Sequence, residues 1–204
     1  MSRVSTTQPG AARGPYTKGI ERRKEILERT LEVYAERGFS RTSMSAIGEA
    51  IGVSHAALKH YFPSRDALLL EVLRERDEQM RRQVLRDDDP TSLAHIPAAG
   101  EANTQVPGLV ALYSSMAASS TEAGNETARE FFTDRFAAAR EDFATRIAAD
   151  QQAGRIRADI DPHVIASLVL AASDGLQIQW SLDTAVSIRE GLTALLQLLQ
   201  VSPD

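Results

Sequence analysis

A chain of 204 residues, 43% apolar, 25% charged and 5% aromatic, is long enough for one domain or two small ones and buries roughly two thirds of its unfolded surface. With no Cys it has no disulfides, thiolate metal sites or cysteine nucleophiles, which suits a reducing cytoplasm, and 12 Gly with 8 Pro are too few for a disordered or collagenous chain. The net charge is −5, and the longest uncharged stretch, residues 102–121, is about half Ser, Thr, Gln, Asn, Gly and Pro, too polar for a bilayer span; with no apolar signal segment, the expectation is a cytoplasmic protein with no membrane partner.

Residues 1–17 offer almost nothing to bury and read as a flexible arm. From Lys18 the pattern turns helical, with Leu27, Leu31, Tyr34 and Ala35 on one face until Gly38. Thr42 or Ser43 caps a short second helix that places Met44, Ile47 and Ile51 together. Gly52-Val53 forms a turn, and Ser54 caps a third helix carrying Leu58, Tyr61 and Phe62. Pro63-Ser64 ends that helix and opens a fourth, from Arg65 to about Arg86, with Asp66 suited to its N-terminal dipole.

Asp87-Asp88-Asp89-Pro90 breaks the chain, and residues 91–104 have room for one short helix. A helix over 106–119 turns Leu109, Leu112, Tyr113 and Met116 inward. The next, over 126–153, carries the stripe Phe132, Phe136, Ala139, Phe143 and Ile147 and ends at Gly154. Asp161-Pro162, a cap followed by Pro at the first helical position, opens an apolar helix over 163–181. The last helix starts near Asp183 and carries Ile188, Leu192, Leu195, Leu196 and Leu199. No segment alternates as a strand would, so the class is all-α.

The short turn between the second and third helices defines a helix-turn-helix, whose second helix can enter the major groove of DNA. Its outward positions, Ser54, His55, Ala56, Lys59 and His60, carry donors for base edges and phosphates. The helix starts at Thr42 or Ser43, and at Ser64 with Arg65, present free backbone N–H groups to phosphate. Gly48, mid-helix, costs about 1 kcal/mol relative to Ala and points to a close crossing of the third helix. The charge agrees: residues 1–86 hold 16 Lys and Arg against 11 Asp and Glu, whereas 87–204 hold 7 against 17.

Arg22-Arg23-Lys24-Glu25-Ile26-Leu27, then 34–39 (Tyr-Ala-Glu-Arg-Gly-Phe), 42–54 (Thr-Ser-Met-Ser-Ala-Ile-Gly-Glu-Ala-Ile-Gly-Val-Ser) and 58–69 (Leu-Lys-His-Tyr-Phe-Pro-Ser-Arg-Asp-Ala-Leu-Leu) resemble the DNA-binding domain of the tetracycline-repressor (TetR) family. Asp174-Gly175-Leu176 followed by Gln179-Trp180 is similar to one C-terminal group of that family. The resemblance implies a homodimeric, ligand-responsive regulator, usually a repressor. Its three-helix head binds a double-stranded operator, and its helical body holds a small-molecule effector and the dimer interface. It also implies base reading at His55 and Ala56, and phosphate contacts at Lys59, His60, Tyr61 and Arg65. Lys59 stands where the family has Tyr, which keeps a phosphate partner but loses a stacking ring. Gly48 replaces the more usual Ala, a physically mild change.

For the effector, the candidates are Tyr113, Met116, Phe132, Phe136 and Trp180, which as readily form plain core. Asp174 and Gln177 are candidate polar anchors one turn apart. Asp174, as a carboxylate, leans toward a cationic or hydrogen-bond-donating ligand; the other reading is a bond to a neighbouring helix. For a dimer seam, the candidates are Val169, Ala172 and Leu176 with Leu192, Leu195, Leu196 and Leu199, two apolar helices per chain.

The four His lack ligand spacing, Asp87 to Asp89 lack the alternation and Gly of a calcium loop, and no nucleophile elbow or Gly-rich phosphate loop occurs, so neither an enzyme nor a metal or other cofactor is expected. The reading is an arm (1–17), a helix-turn-helix domain (18–63), a connecting helix (64–86) and an effector-binding and dimerisation domain (87–204). A ligand-free activator and a helical protein-interaction module are the alternatives.

Overall fold

The computed structural model describes residues 15–84 and 93–201, and among these the regular structure is helical, with a single antiparallel bridge between Ile156 and Gln200. The all-α expectation holds. The first helix, α1 (Pro15–Arg37), starts three residues before Lys18, with Pro15 at a position where its missing N–H costs nothing. Positions 15–17 are therefore helix, while the rest of the expected arm lies outside the described residues. The stripe that α1 buries is Ile26, Leu27, Thr30, Val33 and Tyr34; Leu31 is half-buried and Ala35 exposed, against expectation. Buried Thr30 was missed because its hydroxyl is satisfied within the helix, donating to the Ile26 carbonyl at 2.6 Å.

After a single 3-10 turn (Phe39–Arg41) come α2 (Met44–Ile51), α3 (His55–Tyr61) and α4 (Arg65–Val84). Ser43, Ser54 and Ser64 cap the three helices, each accepting an N–H three residues on, from Ala46, Ala57 and Ala67, at 3.1 Å. Gly48 is required chiefly by the turn: a Cβ there would stand 2.5 Å from the Val53 carbonyl oxygen and 3.3 Å from Leu58 Cδ1. Ala in its place is thus not the mild change expected, because backbone must yield. The continuation of α4 to Arg86 and the break at Asp87 to Pro90 fall outside the described residues.

The body consists of a 3-10 turn (Leu93–His95), α5 (Ile96–Thr104), α6 (Leu109–Ser119), α7 (Glu126–Gln152), α8 (Pro162–Leu182) and α9 (Ile188–Leu199). α6 begins three residues later than expected because Gly108 takes φ 77°; a Cβ there would meet Ala35 Cβ at 2.8 Å, so the start of α6 lies directly on α1. α9 begins at Ser187 as cap, not near Asp183. The Asp183 N–H instead closes α8 on the Gln179 carbonyl (2.8 Å), and its carboxylate turns back to accept from Ala185 N–H (2.9 Å), a local bond that competes with helix. Asp161 and Pro162 open α8 as expected, the carboxylate accepting from His163 N–H at 2.8 Å.

Among the described residues two hydrophobic cores form. One joins α1 to α4 with α6 and the first half of α7, from Ile26 through Leu58, Phe62 and Leu69 to Met116 and Phe132. The other joins α5, the second half of α7, α8 and α9 through Ile96, Ile147, Ile165, Val169, Ile188 and Leu192. At about 1.5 Å per residue α7 is roughly 40 Å long and enters both. The chain end is tied back: Arg157 N–H donates to the Leu199 carbonyl (2.9 Å), and buried Asp150 accepts from Arg155 Nε (2.9 Å).

Candidate nucleic-acid interface

Burying Leu58 and Phe62 turns the other face of α3 outward, where Ser54, His55, Ala56, Lys59 and His60 are all exposed. Lys59 has no carboxylate partner among the described residues, so its charge is available to an anion. Tyr61 is half-buried, set edge-on to His60 with ring centroids 5.5 Å apart. Ser43 and Ser54 lie at helix N-termini, but their hydroxyls are engaged as caps, which leaves the first-turn N–H groups as the donors to phosphate.

Thr42 is a correction. It is fully buried and donates to the Gly38 carbonyl at 2.6 Å, holding the 3-10 turn rather than facing a phosphate. Arg65 is only partly free: its Nε donates to Asp66 Oδ1 (2.9 Å), and its guanidinium lies 4.4 Å from the centre of the Phe39 ring. Arg41, on the 3-10 turn, is exposed at the same end of the head and was missed because a single Arg after Gly-Phe-Ser carries no periodic signal.

In the body the structure joins some effector candidates and separates others. Tyr113 donates to Asp174 Oδ1 (3.0 Å), and Arg135 Nη1 donates to the Tyr113 oxygen (3.2 Å). Arg135 also grips Asp77 of α4 through Nε (2.8 Å) and Nη2 (3.0 Å). Burial pushes both the Asp174 carboxyl and the Tyr113 hydroxyl above their ordinary ranges. Burial alone would lower Arg135, but the Asp77 hydrogen bonds and charge hold it above its usual value. Asp174 thus has its partners inside the chain, which weakens its bias toward a cationic ligand.

Phe132 lies edge-on to Tyr113 (5.6 Å between centroids) and tilted against Phe136 (6.1 Å), and Met116 is fully buried in the same core. Trp180 packs on the other core, and buried Gln177 accepts from Asn103 Nδ2 at 3.4 Å, so the seven candidates do not share one surface. Asp77 and Arg135 were missed: Asp77 sits in the charged run of α4, and Arg135 beside an aromatic stripe, where neither shows a partner in sequence.

The seam candidates divide similarly. Val169, Leu192 and Leu199 are buried in the chain's own core, so they hold the body together; Ala172, Leu176, Leu195 and Leu196 are half-buried against it. Among the described residues of the body, the large apolar groups facing solvent are Val164, Leu168, Ile178 and Leu182 on α8, with Leu198 on α9 and Val201 just after it; on the head, Ile20 of α1 is also exposed. Among the described residues no group of His, Asp and Glu is placed to hold a metal ion, and no helix is long and apolar enough to cross a membrane.

Residues 26–72 match the family described as bacterial regulatory proteins, tetR family. The HTH-type transcriptional repressor Rv1474c of Mycobacterium tuberculosis is 33% identical over 66 residues, which are 32% of this chain and 35% of that protein, so the match spans about a third of that relative. The HTH-type transcriptional repressor AcnR of Corynebacterium efficiens is 25% identical over 198 residues, covering 91% of this chain and 94% of AcnR. A transcriptional regulator from Saccharomonospora viridis, solved in complex with choline, superposes with a TM-score of 0.69 at 25% identity over 88% of this chain and 95% of its own. These relatives are named as regulators and repressors, not as enzymes. The head thus carries the motif of the tetR family of bacterial regulatory proteins over residues 26–72, and the chain as a whole is similar to AcnR and to the Saccharomonospora viridis regulator.

Proposed function

We propose that this chain is a ligand-responsive transcriptional repressor that binds a two-fold operator as a homodimer. The observation that carries the reading is the outward face of α3, where Ser54, His55, Ala56, Lys59 and His60 take no part in the core of the head. A base-reading helix needs such a surface, backed by rigid packing at Leu58 and Phe62. His55 and Ala56 read bases, while Lys59, His60, Tyr61 and the α2 and α4 N-termini with Arg65 meet phosphate.

One head spans too few base pairs for useful specificity, so two-fold pairing completes the reader. At about 100° per residue, Val164, Leu168, Ile178 and Leu182 fall within roughly 80° of one another on α8, a stripe that is exposed, as is Leu198 of α9. This stripe forms the seam, with Ala172, Leu176, Leu195 and Leu196 behind it. The effector acts on the body around Tyr113, Asp174 and Gln177; the choline complex of the Saccharomonospora viridis protein supports a small-molecule ligand in this architecture. In domain terms, residues 18–63 form the reader, 64–86 the connection and 87–204 the effector-binding and dimerisation body.

Selection of bound genomic fragments, followed by anisotropy at several salt concentrations, tests the reading. A two-fold sequence bound tightly, with affinity falling steeply as salt rises, is expected. Retention of no fragment above background would overturn it.

A further inference from the structure

A cleft with a mostly apolar lining lies between α1 of the head and α4, lined also by Val106 and Pro107. Its volume is about 340 Å³, within the size range of small-ligand sites at roughly 300–1,000 Å³. Leu27, Leu31 and Val72 form the floor, and Glu28, Glu32, Glu75, Arg76 and Gln79 bring charge and hydrogen-bonding capacity to it. The carboxylates are already engaged: Glu28 pairs with Lys24 (3.8 Å), Glu32 with Arg29, and Glu75 accepts from Gln79 Nε2 (3.2 Å). Arg76 is not. It has no ion pair among the described residues, and its Nε is shut off from water with no acceptor.

We infer that this cleft is a binding site for a small apolar carboxylate, whose chain lies on the leucine-valine floor and whose carboxylate takes the guanidinium of Arg76. A buried N–H left without an acceptor keeps its full desolvation cost, and a carboxylate is the group that meets a guanidinium edge with two parallel bonds. Burial also pulls the pKa of Arg76 below its ordinary value, with only Asp77 countering, and Asp77 is itself held by Arg135. A cationic ligand would compete with Lys24 and Arg29 for Glu28 and Glu32 and would face Arg76 directly. Because α1 and α4 form opposite walls, an occupant bears on the angle between head and body. That regulatory consequence rests on the repressor reading; occupancy of the cleft does not.

The test uses the full chain without DNA, titrated calorimetrically with octanoate, octylamine and octanol. Saturable binding of octanoate, at one molecule per chain and tighter than either control, is expected. Arg76→Gln should weaken it about tenfold or more, the loss of a charge-assisted pair. Leu31→Trp, which fills the floor from the α1 side, should abolish it while the protein stays folded by circular dichroism. A photoreactive octanoate analogue should label residues 27–32 and 72–79. Octanoate that does not saturate, octylamine that binds as well, binding unchanged in both variants, or label concentrated around Tyr113 and Asp174 would each overturn the assignment. A protein that binds octanoate here but retains no genomic fragment would instead refute the repressor reading alone.

Discussion

Arg135 of α7 holds Asp77 of α4 in a two-pronged grip, with Nε and Nη2 each on its own carboxylate oxygen, and the same guanidinium lies 4.9 Å from the centre of the Tyr113 ring. Asp77 belongs to the helix that carries the head, whereas Arg135, Tyr113 and Asp174 belong to three body helices. A single polar chain therefore ties the connecting helix to the body.

Breaking that tie should be felt in both stability and DNA binding. Arg135→Met leaves Asp77 without its cation in a half-buried place; both side chains are about a quarter to a third exposed, so the loss should be about 1–3 kcal/mol, below the ~3–5 of a fully buried pair. Removing the exposed Arg189–Glu101 pair by Arg189→Ala should cost less than about 1 kcal/mol. Urea denaturation ranks the two, and anisotropy on the selected operator shows whether the untied α4 alters affinity. Equal midpoints for the two variants would refute the special role of Asp77 and Arg135.

Asp174 offers a pH-dependent test. Its folded pKa lies above the ordinary carboxylate value of 3.8 because it is buried, so the native state binds its proton more tightly than the unfolded chain does. The resulting penalty is absent below the unfolded pKa and grows as pH rises through the folded one. Asp174→Asn keeps an oxygen for the Tyr113 hydroxyl and removes the charge. It should raise the melting temperature at neutral pH, with the advantage shrinking toward pH 4 and below. A variant less stable than the parent at pH 7 would show that the carboxylate is favourably paired there.

On the head, Lys59→Ala should weaken binding to all DNA sequences and reduce the salt slope by about one per head, or about two per dimer. His55→Ala should change base preference at one position in each half-site, at about 1–3 kcal/mol for that base. Thr42→Val should leave the salt slope unchanged and lower stability instead, since Thr42 bonds Gly38. Salt-titrated anisotropy and a re-selected operator check all three. A His55→Ala variant with an unchanged operator preference would remove His55 from base reading.

At the proposed seam, Leu168→Glu or Leu198→Glu places a charge on an exposed apolar group and should yield folded monomers that bind operator weakly. Leu199→Glu acts on a residue 7% exposed in the chain's own core and should unfold the body. Sedimentation with circular dichroism separates the two outcomes. A dimer unchanged in both Leu168→Glu and Leu198→Glu would exclude this face.

Local chemistry was legible in the sequence, and long-range pairing was not. Ser54 and Asp161 cap helices as their spacing predicted, and Ser43 is the one of the two candidates, Thr42 or Ser43, that caps α2, because a cap is decided within three residues. The inward set of α6, Leu109, Leu112, Tyr113 and Met116, is buried as read. The faces of α8 and α9 were harder: apolar residues surround most of α8, and periodicity does not tell an inward Val169 from an outward Leu168. The start of α9 was misplaced because Asp183 can cap a helix or close a turn, and here it closes a turn. Arg135 and Asp77, 58 positions apart, leave no local trace.

The first core also bears on engineering. Tyr34 of α1 donates to the Ala111 carbonyl (3.2 Å) and shares a hydroxyl–hydroxyl hydrogen bond with Ser115 Oγ (3.1 Å), and the core around it continues from Ile26 into α6 and α7. A chimera cut at Pro63 would strand Tyr34 and Leu27 against foreign surfaces. A transplantable reader would have to carry α4, α6 and the opening turns of α7 with it, so the smallest unit that exchanges operator preference between relatives is larger than the helix-turn-helix.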